Sequence, residues 1–161
     1  RQIGLFQNPQ IPLPVAAALE TAPASVEAAT LGADGPQVTP LQMALAAAAI
    51  TGGGARPTPQ MVLAIQTPYE GWVIRAPQPV VPSLPAEGTR ITAQMLVQSG
   101  TPYWQGIGNA PSQTGRITWL LAGTLPGAQG TPLALALVLE EDNPTLAASI
   151  GRSVLDGSPQ P

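Results

Sequence analysis

The chain has no lysine, no histidine and no cysteine. Without cysteine there is no disulfide, no thiolate nucleophile and no cysteine-bound metal, and the redox compartment stays open. Without histidine and lysine, the side chains that usually activate a serine are missing. Nine carboxylates, six arginines, seven serines, the threonines and two tyrosines remain as candidates for chemistry. A two-carboxylate hydrolase is formally compatible with that set, but no pair of acids stands in a suggestive setting. Charge is scarce as well: 9% of residues carry it and the net is −3, which leaves no basic footprint for nucleic acid. The longest apolar runs, Met43–Ile50 and Leu133–Leu139, fall well short of the roughly 18–20 residues that span a bilayer. Membrane insertion by this chain is therefore not expected. No secretory signal is visible at Arg1, and with no initiator Met the chain reads as a processed product or a fragment.

Proline and glycine are abundant, 20 and 17 among 161 residues, so long loops are expected around one domain with a real core. Arg1–Pro14 reads as an extended, proline-punctuated segment anchored by Ile3, Leu5 and Phe6. Val15–Glu20 and Ser25–Leu31 are short helical candidates, and Gly32–Gln37 is a loop. The clearest element runs from Thr39 to Gly54. Thr39 caps a helix, Pro40 fits its first position and Gln42 completes a capping box. Val38 and Met43 are spaced for the hydrophobic staple, and the glycines from Gly52 suit its end.

Beyond that helix, Gly52–Pro57 reads as a linker and Pro59–Thr67 as a strand, with Trp72-Val73-Ile74 as its hairpin partner. Ala76–Glu87 holds four prolines and reads as loop, and Thr89–Gln98 as helix. Arg116–Thr124 and Leu133–Leu139 are expected to pair antiparallel, the second apolar on both faces and so central in its sheet. Asn143 and Pro144 start a last helix over Thr145–Leu155, with Leu146, Ala147, Ile150 and Val154 toward the sheet. Residues 156–161 form a flexible tail. Trp119 reads as core rather than a ligand platform, and Tyr103-Trp104 as a wedge at a strand start rather than a groove wall. Glu140-Glu141-Asp142 reads as a solvated strand end rather than a cation site, and Ser112 and Ser149 as ordinary surface or capping serines. No catalytic residue, cofactor or metal ligand is assigned.

The segment Thr-Pro-Leu-Gln-Met-Ala from Thr39 to Ala44 resembles a hallmark helix of penicillin-binding proteins. Four other blocks fall in the family's order. They are Arg1–Phe6 with Leu13-Pro14, Arg56–Ile65, Arg116–Pro126, and Leu133–Leu155; Leu31–Gly35 is a looser match. The resemblance implies an α/β fold: part of an antiparallel sheet with flanking helices, the C-terminal portion of a transpeptidase-like domain over residues 1–161. It also implies strands from outside this chain to complete the sheet. The family acylates a serine in a Ser-x-x-Lys motif, aided by Ser-x-Asn and Lys-Thr-Gly motifs. Aligning the glycine of the third motif with Gly108 puts Gly106 at the lysine position and Ile107 at the threonine position. The electropositive end of the groove is then lost.

Three functional readings follow. The first is a catalytically inactive penicillin-binding-protein-like module, binding or structural, in peptidoglycan synthesis. Its expected partners are peptidoglycan, cell-wall synthesis proteins and the missing N-terminal half of the domain. It would lie outside the cytoplasmic membrane, tethered by a segment outside this chain. The second is a fragment of an active D,D-transpeptidase acylated at a serine upstream. The third is an unrelated α/β interaction domain, in which the Gln105–Ala110 strand would not pair beside Arg116–Thr124.

Overall fold

The computed structural model describes residues 3–5, 7–16, 18, 25–27, 37–112 and 115–157. The expected turn at Leu31–Gly35, most of the Arg1–Phe6 block, most of the Ser25–Leu31 helix and residues 158–161 lie outside them. Val15, Ala16 and Ala18 carry no helix, whereas Val26 and Glu27 are helical.

Helix α1 is Pro40–Thr51. Its start is closed reciprocally: Thr39 N–H donates to Gln42 Oε1 at 2.9 Å, and Gln42 N–H to Thr39 Oγ1 at 3.3 Å. The buried face is mostly alanine, at Ala46, Ala47 and Ala49, so the helix lies close to what it covers. Gly52 N–H closes on Ala48 C=O, and the chain turns through Gly53 (φ 63°) and Gly54 (φ 99°). Gly54 is required for a second reason. A Cβ there would stand 2.2 Å from Leu84 C=O, because Gly54 C=O accepts from both Ser83 and Leu84.

That close approach corrects two expectations. The 52–57 stretch holds strand β1, Ala55–Arg56, which pairs antiparallel with β4, Val81–Pro82, inside the supposed loop. Between them, β2 (Ala64–Thr67) and β3 (Gly71–Ile74) form the expected hairpin, with Thr67 opposite Gly71. Met61, Val62 and Leu63 lie outside the strand, which is shorter than the apolar run suggests. Helix α2 is Ala86–Met95, starting three residues before the expected Thr89. Pro85 precedes it without a side-chain cap, and Glu87 pairs with Arg90 in its first turn. The hydrogen bonds from that guanidinium hold the Glu87 carboxyl below its usual range.

The largest sheet has three antiparallel strands: β5 (Tyr103–Ser112), β6 (Gly115–Thr124) and β7 (Ala134–Leu139), in that order. The pairing of the last two is as expected, but β6 is central and β7 is an edge among the described residues. An unbroken apolar run reports burial on both faces and is blind to the edge. Helix α3, Pro144–Asp156, is capped by Asn143 Oδ1, which accepts from Leu146 N–H at 3.0 Å. It covers one sheet face with Ala147, Gly151 and Leu155, against Tyr103, Leu120 and Ala122. Leu146 and Val154, expected inward, are 40% and 47% exposed. The reason is Gly151: a Cβ there would stand 3.0 Å from Leu120, so the small-residue stripe brings helix and sheet together.

The other face packs on α1 and α2 through Ala47, Ala93 and Trp104, with Ile50, Leu96 and Leu121 around them. Trp104 is buried but not unsatisfied. Its Nε1–H donates to Thr51 Oγ1 at 3.1 Å, and that hydroxyl donates to Leu133 C=O at 3.4 Å.

Candidate functional site

Strand β5 is ten residues long and bears no charged side chain. Its pairing with β6 runs without a bulge from Tyr103 opposite Thr124 to Ser112 opposite Gly115. The side of each backbone group follows from alternation. Gln105 N–H donates outward to Leu96 C=O, and Tyr103 C=O accepts outward from Thr101 Oγ1. Odd-numbered residues therefore turn N–H and C=O away from β6. Ile107 and Asn109 are the next two, and among the described residues no strand pairs with them.

Gly106, Ile107 and Gly108 lie in this free stretch. Gly106 is opposite Leu121 and Gly108 opposite Trp119. A Cβ built on either glycine meets nothing within 4 Å, so packing does not require glycine there. Ile107 sits on the α3 side of the sheet, opposite Leu120, and is 39% exposed. Trp119 belongs to neither buried cluster and is half-buried, so it is not the core residue expected. Position decides this: it shares a face with two bare glycines and lacks neighbours on that side. Tyr103 and Trp104 are buried, and Tyr103 also lines a shallow concavity of about 250 Å³ with Thr101, Arg152 and Asp156.

Arg116 does not stand in for a missing cation near Gly106. It is opposite Pro111, five residues and roughly 17 Å along the strand from Gly106. Its guanidinium pairs with Asp142 at 3.4 Å, and the other Asp142 oxygen accepts from Asn109 Nδ2. Thr118 Oγ1 donates to Glu141 C=O at 2.8 Å and accepts from Asn143 N–H at 2.9 Å. These bonds fasten the β7–α3 turn to the sheet, and Asp142 has no oxygen left uncommitted for a cation. No cluster of three metal-ligating acids, histidines or cysteines occurs among the described residues. Ser112 and Ser149 are exposed, and neither has a base beside it among the described hydrogen bonds.

A second concavity was not legible in the sequence. A cleft of about 480 Å³ lies between residues 7–10 and 56–59, where Arg56 reaches Gln7 Oε1 at 2.8 Å. Its walls also include Leu45 of α1 and Val81 of β4, so they come from segments far apart in sequence.

No protein-family model matches the sequence, and no curated protein matches it. Solved structures do match. Penicillin-binding protein A from Mycobacterium tuberculosis superposes with a TM-score of 0.71 at 22% identity, over 98% of this chain and 43% of that one. The chain has the fold of a penicillin-binding-protein transpeptidase domain, in part. Penicillin-binding protein 3 from the same organism gives 0.67 at 16% identity, over 99% of this chain and 46% of that one. The D,D-transpeptidase domain of a peptidoglycan glycosyltransferase from Eggerthella lenta gives 0.70 at 17% identity, over 96% and 45%. The chain thus spans less than half the length of the penicillin-binding structures it matches. β5 pairs beside β6, which is not the arrangement expected to favour an unrelated α/β interaction domain.

Proposed function

We propose that this chain is a penicillin-binding-protein-like module of peptidoglycan synthesis that works by binding rather than by acyl transfer. The observation that carries this reading is the absence of lysine from a chain with this fold. Acyl transfer to a serine needs a neighbouring base to take the hydroxyl proton, and an amine is the one this family uses. On β5, Gly106, Ile107 and Gly108 stand at the degenerate Lys-Thr-Gly position, an assignment that rests on the sequence alignment. The open space over both glycines supports a shelf that receives a ligand without a charged contact. The site of action is extracytoplasmic, with a membrane tether outside this chain. No helix among the described residues is long and apolar enough to cross a membrane.

The test is exposure of the 161-residue chain to a fluorescent β-lactam, read by gel fluorescence and intact mass. No adduct is expected. A mass increase equal to the antibiotic would overturn the proposal.

One observation favours a second reading. Penicillin-binding protein A from M. tuberculosis, solved as a penicillin G acyl-enzyme, matches this chain with a TM-score of 0.75 but over 41% of its own length. A working serine could then belong to sequence that this chain does not contain. A Ser-x-x-Lys motif encoded upstream would support a divergent, active D,D-transpeptidase.

A further inference from the structure

Of the six arginines, Arg1 lies outside the described residues. Arg90 pairs with Glu87, Arg116 pairs with Asp142, and Arg152 lines one concavity together with Asp156. Arg56 and Arg75 have no acid beside them among the described residues. Both line one trough. The 480 Å³ cleft that holds Arg56 shares Gln10, Thr58 and Pro59 with a second hollow of about 240 Å³ that holds Arg75. No acid lines either hollow. In a chain of net charge −3, the two uncompensated cations thus face a single groove. Arg56 is also held in place. Its guanidinium donates to Gln7 Oε1 at 2.8 Å, and a Cβ on Gly4 would collide with it. Gly4 is buried with φ 77°, a conformation that favours glycine as well. With Oε1 of Gln7 taken up, the nitrogen of that amide is a second donor beside the guanidinium. This end of the trough therefore offers donors from two side chains and no negative charge, the condition for holding a carboxylate. We propose that the trough is a docking groove for an extended acidic segment of another polypeptide, with one carboxylate on Arg56 and another on Arg75. The proposal goes beyond the binding reading above, because no residue of β5 lines the trough.

Shape and lining select a chain over a small anion. One cation stands in each hollow, and residues 56–62 wall both. Arg75 N–H donates to Leu63 C=O, seven residues on from Arg56. A ligand following that wall has a length of up to about 25 Å, roughly seven extended residues. Two carboxylates on one chain suit that spacing, and a single phosphate or carboxylate does not. Between the cations Pro57, Pro59, Met61 and Val62 make the wall largely aliphatic, and no aromatic ring lines it for a sugar to stack on. Gln10, Gln60 and Gln78 lie along the same stretch, and their amides can pair with a ligand's backbone. The occupant that fits is acidic at two points and aliphatic between them.

The probe is an acetylated and amidated peptide, Glu-Val-Ala-Val-Ala-Val-Glu, whose two carboxylates fall on one side of an extended chain. It is compared with the same peptide bearing Gln for Glu, with glutarate and with trigalacturonate. Backbone amide NMR on the intact chain reads the site. The acidic peptide should shift the amides of Gln7, Asn8, Thr58 and Arg75 and leave those of Ile107 and Gly108 unmoved. The Gln peptide should bind about tenfold more weakly. Added salt should weaken the acidic peptide and not the neutral one. Arg75 is exposed and its side chain bonds nothing among the described residues, so Arg75→Gln should leave the fold intact and weaken the acidic peptide about threefold. Gln7→Glu would place a carboxylate on Arg56 where the amide now sits, and should bring the two peptides to within about twofold of each other. Equal binding of the acidic and neutral peptides by the unaltered chain would overturn the proposal. So would affinities that neither substitution changes. Glutarate binding as tightly as the acidic peptide would make the trough a small-anion site, and tighter binding of trigalacturonate would make it a polysaccharide groove; either result would overturn the assignment to a polypeptide.

Discussion

Thr39 carries the start of α1 almost alone. Its hydroxyl accepts from Gln42 N–H, and its own N–H is taken by Gln42 Oε1. The arrangement has a cost: Gln42 is 2% exposed, and its Nε2 is buried with no hydrogen-bond partner. Thr39→Ala removes the cap oxygen while leaving the backbone N–H to Gln42. The expected loss is about 1 kcal/mol, within the range of about 0.5–2 for cap removal. Denaturant titration should show a lower midpoint at unchanged slope, and an unchanged midpoint would refute this account of the helix start. Cap residues are legible because their identity and spacing are local, as Asn143 before α3 shows again. Gly54 and Gly151 were not legible in the same way. Their role is set by Leu84 and Leu120, which meet them only in the folded chain. The same holds for the site. The lack of lysine was visible at once, and Gly106-Ile107-Gly108 could be placed on a strand. Which of those residues turns its backbone outward required the register.

At the level of elements, periodicity resolved the long pieces and failed on the short ones. The β2–β3 hairpin, β6, β7 and α3 were readable from apolar runs and turn residues. Strands β1 and β4 are two residues each, too short to show a period. Helix α2 begins after Pro85, which offers no capping oxygen, so its first turn looked like more loop. In α3 two stripes compete, Leu146/Ile150/Val154 and Ala147/Gly151/Leu155. Hydropathy prefers the first, but closeness of approach selected the second. Edge position is a further property that no run of residues contains, and it has a measurable consequence. Leu133 C=O accepts from Thr124 N–H, so odd residues of β7 face β6 and even residues face away. The amides of Ala136 and Val138 should exchange with solvent deuterium much faster than those of Leu135 and Leu137. Equal protection of both sets would mean that another strand pairs with β7.

For the whole molecule, the three-stranded sheet is covered on both faces, and among the described residues β7 and the 106–110 part of β5 have no strand on their outer side. The two differ in kind. The free part of β5 is short and flanked by Pro111, whereas β7 presents six consecutive apolar residues, half-buried throughout and free of charge or proline. Such an edge pairs readily with another copy when nothing else occupies it. A net charge of −3 spread over 161 residues opposes that association only weakly. The resemblance to longer penicillin-binding structures gives the physical reason for tolerating the edge, since the strands expected from outside this chain would complete the sheet. Alone, the chain should therefore self-associate with rising concentration, seen by size-exclusion chromatography with light scattering. Val138→Lys should shift the equilibrium toward monomer, because Val138 has its backbone on the free side. Ile107→Pro, at the opposite edge, should leave the association unchanged. A chain that stays monomeric up to millimolar concentration, or that is made monomeric by Ile107→Pro and not by Val138→Lys, would refute the assignment of β7 as the reactive edge.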